Sequence, residues 1–166
     1  VLGCTDAITQ ADNLVYTHEV IKGVAGKHGL LASFTPRHSS STTWAHRDDD
    51  ASAHNAGNGS HVHISLSKNG ENVFTASSDY NRYGMSKFGE AFMAGVLSHV
   101  RSICVFTCPI PNSYDRFENK TYNALYLTWG LESKEFTMRT CSPPGTNGVV
   151  TNFELRTFDG CANPPL

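Results

Sequence analysis

The amino-acid sequence predicts a domain of the α+β class. Two long segments carry apolar side chains at spacings of three and four residues, as in helices that face a core. Several shorter segments alternate apolar and polar residues, as in half-buried strands. The predicted order is helix, strand, long loop, hairpin, helix and then three strands, which is a grouping typical of α+β folds.

Composition limits the classes of protein to which the chain can belong. The 166 residues are 39% hydrophobic and 17% charged, which excludes a disordered tail and a charged coiled coil and suits one compact domain. With 13 basic and 15 acidic residues the formal charge is −2, so no basic excess would recruit nucleic acid or an anionic membrane surface. The longest mostly apolar stretch, residues 92–109, is interrupted by Ser98, His99 and Arg101, so no segment is expected to span a membrane.

The cysteines and the chain ends carry further information. The five cysteines are odd in number and scattered, without the CxxC pairs of a structural zinc site, which favours reduced thiols in the cytoplasm. The chain begins with Val and stops without a closing element. We therefore expect residues 1–166 to be a segment of a longer protein.

The first half of the chain is predicted to contain one helix and one strand before a long loop. A helix is expected over residues 6–29, with Thr5 or Asp6 as its N-terminal cap and Gly29 at its end. The apolar run 30–34 predicts a buried strand. Residues 36–60 are rich in Ser, Asp, His and Asn and predict a loop, and loops of that length are usually functional.

The second half predicts a hairpin, a helix and three strands. Alternation predicts a strand over residues 61–66, and a turn at 68–71 would join it to a partner at 72–76. The second helix is expected from residue 83 to about 105, with a broad apolar stripe. The last strands are predicted at residues 124–129, 135–139 and 152–158.

Two pairs of polar residues lie on predicted strands. His61 and His63 project to one face with Ser65, because side chains alternate along a strand, and two imidazoles on one face can bind a divalent metal or a phosphate. Glu154 and Arg156 share a face in the same way. Each pair alone is more often an exposed surface feature, and an exposed ion pair contributes under about 1 kcal/mol.

Positively charged side chains on neighbouring segments favour a functional site over an exposed surface feature. Arg116, Lys134 and Arg139 would add fixed positive charge if they converge on His61 and Glu154. One metal ion and several cations are what phosphoryl transfer needs, because charge spreads over the transferred oxygens.

Other polar features of the sequence support weaker hypotheses. His38, His46 and His54 recur through the predicted loop, where histidines without a ligand are the favoured interpretation. Residues 57–59 (GNG) resemble a phosphate-binding loop, but they precede a strand rather than a helix, so that interpretation is rejected.

Several of these segments together resemble the C-terminal catalytic domain of glutamine synthetase, in its type I form. The resemblance covers nearly the whole chain. The residues of the motifs are most similar to those of the divergent fungal and plant members, which include developmental proteins and γ-glutamyl amide ligases. The matching segments, in family order, are residues 11–13 with 24–29, 57–66 (GNGSHVHISL), 111–116 (PNSYDR) and 153–164 (FELRTFDGCANP).

The resemblance implies a fold and a reaction. The fold is a curved antiparallel sheet with flanking helices that forms half of a funnel, and an adjacent subunit of a homo-oligomer completes the site. ATP enters one mouth and glutamate the other. The γ-carboxylate of glutamate is activated as an acyl phosphate, and ammonia or an organic amine then attacks it.

The resemblance also implies roles for individual residues, which fall into two groups. His61 and Glu154 would bind one Mg²⁺ or Mn²⁺ ion, and His63 would contact substrate and phosphate. Arg139 and Arg156 would neutralise the phosphates during transfer, with Arg139 also contacting the nucleotide. The substrate and nucleotide would be contacted by a second group of residues: Arg116, Gly57 and Tyr122 for the substrates, and Ser65 and Lys134 for ATP.

Three positions depart from the family pattern. Tyr122 stands where ammonia-using members carry a Glu on a flap, and since a phenol is a poor base near neutral pH, it favours a larger amine as nucleophile. Lys134 replaces an Arg, so a compact ammonium group takes the place of a guanidinium that can bind a phosphate through two parallel hydrogen bonds. Ala56 replaces an Asn beside the substrate.

Two further expectations concern activity. Family members hold a second metal ion with Glu residues that precede the helix at residues 6–29, so the 166-residue segment alone is expected to be inactive. The departures also motivate a second hypothesis, a catalytically inactive member that serves as a scaffold or developmental signalling protein. A third, a metal-dependent hydrolase using His61 and His63, gives no reason for the three arginines.

Overall fold

The computed structural model describes residues 1–36, 57–77, 80–117, 126–145 and 148–163. Within these ranges, helices accompany one four-stranded sheet and two short hairpins, which confirms the predicted α+β class. In chain order the elements are α1 (Ala7–Lys27), β1 (Ser60–Ile64), β2 (Ser67–Lys68), β3 (Glu71–Asn72), β4 (Thr75–Ser77), β5 (Tyr80–Met85), α2 (Lys87–Thr107), α3 (Pro111–Asp115), β6 (Tyr126–Leu131), β7 (Phe136–Cys141) and β8 (Asn152–Phe158).

The helix predicted over residues 6–29 forms as α1. Asp6 caps its N-terminus, because the carboxylate accepts a hydrogen bond from the backbone N–H of Thr9 at 3.0 Å. Gly29, with φ +69°, follows the last turn. The prediction that this helix faces a core is wrong for the described part of the chain, since none of its residues is buried. Its exposed apolar side chains are Ile8, Val15, Tyr16, Val20, Ile21 and Val24.

The strand predicted at residues 30–34 does not form. A strand needs a neighbour to satisfy its backbone hydrogen bonds, and no described strand pairs with this segment. Leu30 and Leu31 are exposed, and Phe34 stacks on His18 of α1 with ring centroids 3.8 Å apart. The predicted loop that follows lies mostly outside the described residues.

The predicted turn at residues 68–71 is confirmed, but the hairpin around it is shorter than predicted: it pairs β2 with β3 and extends to a hydrogen bond from the N–H of Val73 to the carbonyl oxygen of Leu66 at 2.9 Å. Asn69 (φ +54°) and Gly70 (φ +82°) form the turn between the short strands β2 and β3. β1 pairs with β8 rather than with residues 72–76, and this pairing places Ile64 against the core. Proximity along the chain therefore predicted the wrong partner for β1.

The main sheet has the strand order β1-β8-β7-β6. β8 is antiparallel to both of its neighbours, whereas β6 and β7 are parallel. The antiparallel sheet that the resemblance implies is thus confirmed except for this one pair, whose parallel direction depends on the path of the chain between the two strands. The strands predicted at 124–129, 135–139 and 152–158 form as β6, β7 and β8, although residues 124–125 lie outside the described residues.

The second helix begins at Lys87 rather than at Tyr83. Tyr83 (φ +57°) and Gly84 (φ +75°) have left-handed backbone conformations that a right-handed helix cannot include. Ser86 caps the helix by accepting a hydrogen bond from the N–H of Gly89 at 2.9 Å. Phe88, predicted to lie on the apolar stripe, is 60% exposed, so the buried stripe is narrower than predicted.

α2 packs against one face of β8 and leaves the other face to polar residues. Along β8, Phe153 and Leu155 enter the core, while Glu154 and Arg156 alternate with them. The core thus supports the polar face from behind. Its buried members are Phe74, Met85, Met93, Val100, Met138, Val150, Phe153 and Leu155.

The segment after α2 forms a short helix, α3, which was not predicted. It starts at Pro111 and carries Arg116 at its end. Of the helices within the described ranges, none combines the length and the apolar character needed to cross a membrane.

Candidate active site

The polar face of the main sheet gathers residues that are far apart in the sequence. His63 of β1 lies opposite Glu154 of β8, and Arg139 of β7 lies opposite the same Glu154. Since directly paired residues point to the same face, these three side chains form a row across three strands. His61 and Arg156 reach that face as well, since both contact the carboxylate of Glu154.

Glu154 is the centre of this cluster. Its carboxylate is only 3% exposed, and Nη1 of Arg156 lies 3.1 Å from both oxygens. Oε1 also lies 3.0 Å from Nδ1 of His61 and 3.9 Å from Nε2 of His63. Oε2 accepts a hydrogen bond from Nε of Arg139. The structure therefore brings together five of the predicted site residues, while their roles stay predictions.

The environment of Glu154 keeps its carboxylate ionised. Burial by itself would raise the pKa of Glu154, but hydrogen bonds from His61 and Arg139 and the positive charge of Arg156 lower this pKa to about 2. An ionised carboxylate suits Mg²⁺ or Mn²⁺, and the adjacent imidazole of His61 adds a nitrogen donor. These two residues fit the predicted metal ion, and the arginines beside them fit phosphate oxygens.

We expect the protein to lose stability as the pH falls from about 4.5 towards 2. The pKa of Glu154 is lowered from its ordinary 4.5 to about 2 on folding, so the unfolded chain takes up the proton first. Its contribution to the free energy of unfolding, roughly 3 kcal/mol, is complete above the upper value and is lost in this window. Urea denaturation across a pH series measures it, and the Glu154→Gln variant should lack this part of the decline. Equal declines in both proteins would contradict the assignment.

Arg116 lies beside the cluster, beneath the segment 57–59. Its side chain is 1% exposed, and Nη2 donates a hydrogen bond to the carbonyl oxygen of Phe158 at 3.0 Å. A Cβ added to Gly59 would lie 3.0 Å from Nη1 of Arg116 and 3.3 Å from Nε2 of His61. Glycine at this position therefore allows the guanidinium and the imidazole to approach the same turn.

The remaining predicted residues occupy the margin of the site or lie outside the described chain. Gly57, with φ +66°, begins the segment that covers Arg116. Ser65 is exposed beyond the end of β1, and Lys134 is exposed in the connection between β6 and β7. Tyr122, like Ala56, lies outside the described residues.

Sequence reasoning missed two residues of this face. Oδ1 of Asn152 lies 2.9 Å from Nδ1 of His63, and Cys141 lies opposite Asn152 in the β7–β8 pairing. Burial raises the pKa of the Cys141 thiol to about 11. Asn152 and Cys141 stand two residues from Glu154 and Arg139, so strict alternation along β8 and β7 would have placed both on the site face.

Asp159 is a third residue without an assigned role. Its side chain is 1% exposed, and Oδ1 accepts a hydrogen bond from the N–H of Cys161 at 2.8 Å. Among the described residues Oδ2 has no hydrogen-bond partner. Burial lowers the pKa of the Arg116 guanidinium, and the negative charge of Asp159 raises this pKa in the opposite direction.

Comparison with known sequences gives consistent matches. Residues 2–166 match the family model described as the catalytic domain of glutamine synthetase. The glutamine synthetase of Clostridium saccharobutylicum is 34% identical over 161 residues, which cover 97% of this chain and 32% of that protein. The gamma-glutamylpolyamine synthetase of Streptomyces coelicolor is 30% identical over 168 residues, which cover 99% of this chain and 32% of that protein. The chain thus spans about a third of the length of these relatives.

Solved structures give the same picture. The cryo-EM structure of glutamine synthetase from Plasmodium falciparum superposes with a TM-score of 0.78 at 26% identity, covering 96% of this chain and 28% of that one. A crystal structure described as a novel glutamine synthase homologue superposes with a TM-score of 0.70 at 30% identity, covering 93% of this chain and 34% of that one.

Proposed function

Because this chain belongs to the glutamine synthetase catalytic-domain family, we propose that it forms part of the active site of an ATP-dependent ligase that joins glutamate to ammonia or an organic amine. The γ-carboxylate is first phosphorylated, and the amine then displaces phosphate from the acyl phosphate. The observation that carries this proposal is the buried, ionised Glu154, held between His61 and two arginines on one face of the sheet.

The proposal gives the cluster two tasks. Glu154 and His61 hold one Mg²⁺ or Mn²⁺ ion, which neutralises phosphate charge when bound. Arg139 and Arg156 supply fixed positive charge for the phosphoryl oxygens, whose charge spreads during transfer. His63, oriented through Asn152, directs Nε2 towards the substrate and phosphate.

Substrate selection is assigned to residues around this cluster. Arg116 and Gly57 contribute to glutamate binding, and Ser65, Lys134 and Arg139 to ATP binding. An organic amine is the preferred nucleophile, because the phenol of Tyr122 replaces the acidic flap residue of ammonia-using members. The similarity to a gamma-glutamylpolyamine synthetase supports the same preference.

The setting of the reaction is also part of the proposal. Residues 1–166 alone are inactive, since they span about a third of the relatives' length, and a neighbouring subunit of a homo-oligomer completes the site. The exposed apolar side chains of α1 support the presence of a covering surface. The free state of all five cysteines supports a cytoplasmic setting.

The direct test is glutamate-dependent release of phosphate from ATP by the complete protein. We expect release to require Mg²⁺ or Mn²⁺, glutamate and an amine, with a higher kcat/KM for polyamines or aromatic amines than for ammonia. A panel of amines with and without glutamate measures both points. No release with any amine would contradict the ligase, and a preference for ammonia would contradict the assigned specificity.

A catalytically inactive scaffold is the second candidate. Lys134 favours it, because a flexible ammonium replaces a guanidinium fork and lies exposed in the structure. Calorimetry separates the two candidates, since an inactive site should not bind magnesium-ATP tightly. In that case replacing Glu154 would alter stability alone.

A further inference from the structure

The polar face holds a second set of metal-ligand side chains besides His61 and Glu154. His63 of β1, Cys141 of β7 and Glu154 of β8 offer one nitrogen, one sulfur and one oxygen, which all lie within 4.8 Å of one another. The set exists because β8 pairs with both other strands, which brings the three side chains to one face. Within it, Nε2 of His63 lies 3.9 Å from Oε1 of Glu154.

The imidazole of His63 is already oriented as in a metal ligand. Nδ1 of His63 lies 2.9 Å from Oδ1 of Asn152, and Nδ2 of Asn152 donates to Oγ1 of Thr151 at 3.0 Å. Since an amide oxygen only accepts, in the neutral imidazole Nδ1 carries the proton and Nε2 keeps its lone pair. A hydrogen bond from the other ring nitrogen is the usual support for a metal-binding histidine. Nε2 is also the nitrogen that faces Glu154.

The donor set indicates zinc rather than magnesium. Thiolate and imidazole are ligands that Zn²⁺ prefers, whereas Mg²⁺ takes oxygen ligands in an octahedron. Tetrahedral Zn²⁺ would draw the three donor atoms to about 3.5 Å from one another and leave a fourth position open. The side chain of His63 is 53% exposed, which gives it room to make this adjustment and gives the ion a route from solvent.

Charge favours zinc at this position as well. Arg139 and Arg156 already contact Glu154, so a cation bound there meets two guanidinium groups. A divalent ion bound by one carboxylate keeps a net positive charge, whereas an ion bound by a thiolate and a carboxylate is neutral. The thiol proton of Cys141 passes to solvent as the metal–sulfur bond forms.

We propose that His63, Cys141 and Glu154 form a zinc site that shares Glu154 with the magnesium site. Oε1 of Glu154 faces both His61 and His63, so a zinc ion and a magnesium ion would compete for the same oxygen. Zinc therefore inhibits phosphate release by displacing magnesium. The inhibition rests on the proposed ligase function, whereas the zinc site itself rests only on the geometry of three strands.

Cobalt, which substitutes for zinc, provides a readout that does not depend on activity. We expect Co²⁺ added to the reduced, metal-free full chain to give a sulfur-to-cobalt charge-transfer band that Zn²⁺ abolishes by displacement. In Cys141→Ser the band should disappear and the zinc affinity should fall at least about tenfold. Cys4→Ser, which removes an exposed thiol elsewhere, is the matched control and should keep both.

Further variants keep the two proposals separable. If Cys141→Ser does not fold, His63→Asn, an exchange of a half-exposed side chain, should weaken zinc binding in the same way. His61→Asn should weaken magnesium-dependent phosphate release and leave the cobalt band unchanged. A sulfur-to-cobalt band that persists in folded Cys141→Ser, or a zinc affinity that is unchanged in His63→Asn, would overturn the zinc site. Zinc binding by a protein that releases no phosphate would uphold the site and count against the ligase alone.

Discussion

Replacing Glu154 by Gln should reduce glutamate-dependent phosphate release by the complete protein about 1,000-fold, equivalent to about 4 kcal/mol of transition-state stabilisation. The amide keeps the shape of the side chain but cannot offset the charge of a metal ion. It also leaves the guanidinium groups of Arg139 and Arg156 facing a neutral partner. Steady-state kinetics across a range of Mg²⁺ concentrations measure the loss, which excess metal should restore only in part.

The same substitution should lower the free energy of unfolding by about 3 kcal/mol at neutral pH, because removal of one partner leaves buried charges without compensation. Glu132→Gln is the matched control. Glu132 is also a carboxylate near Arg139, 3.4 Å from Nη1, but its side chain is 52% exposed. Its loss should change stability by less than about 1 kcal/mol.

The control also retains a backbone contact. Oε1 of Glu132 accepts a hydrogen bond from the N–H of Ser142 at 2.6 Å, which the carbonyl oxygen of Gln can still accept.

Phosphate release within tenfold of wild type for Glu154→Gln would contradict the assignment of Glu154 to the metal site. Equal losses of stability in the two variants would show that burial of the carboxylate has no energetic consequence.

The sequence predicts the faces of the site strands but not their neighbours. Alternation places His61 with His63, and Glu154 with Arg156, since the period of a strand is two residues. That β1 lies against β8, some ninety residues away in sequence, follows from no local signal. Only the order of several motifs together predicted this convergence. For the same reason the parallel β6–β7 pair was missed, because strand direction depends on the path of the chain between the strands.

Burial and ligand identity were harder to predict than secondary structure. The helix α1 has the apolar spacing of a core-facing helix, yet none of its residues is buried, because burial depends on what packs against a face rather than on the face itself. In the sequence Cys141 is one of five scattered thiols. Its proximity to His63 and Glu154 depends on the register of three strands, which no local pattern predicts.

Replacing Gly57 by Ala should lower the free energy of unfolding by about 3 kcal/mol, because two penalties combine. The backbone of Gly57 has φ +66°, which an L residue adopts only with strain. The new Cβ would also overlap the carbonyl oxygen of Pro36, and backbone atoms cannot rotate away as a side chain can. The carbonyl oxygen of Pro36 also accepts a hydrogen bond from the N–H of Asn58 at 2.9 Å, so a movement of Pro36 that removed the overlap would weaken this hydrogen bond.

Gly145→Ala separates the two penalties. Gly145 also has a positive φ, +85°, but nothing in the described part of the chain lies within 4 Å of an added Cβ, so this variant should show the backbone strain alone, about 1 kcal/mol. The excess loss in Gly57→Ala then measures the overlap with Pro36. Because the segment 57–59 covers Arg116 and approaches His61, the shift should also reduce phosphate release by the complete protein about 10- to 100-fold. Equal losses of stability in both variants would mean that the turn yields freely, and it could not then fix Arg116 and His61 for catalysis.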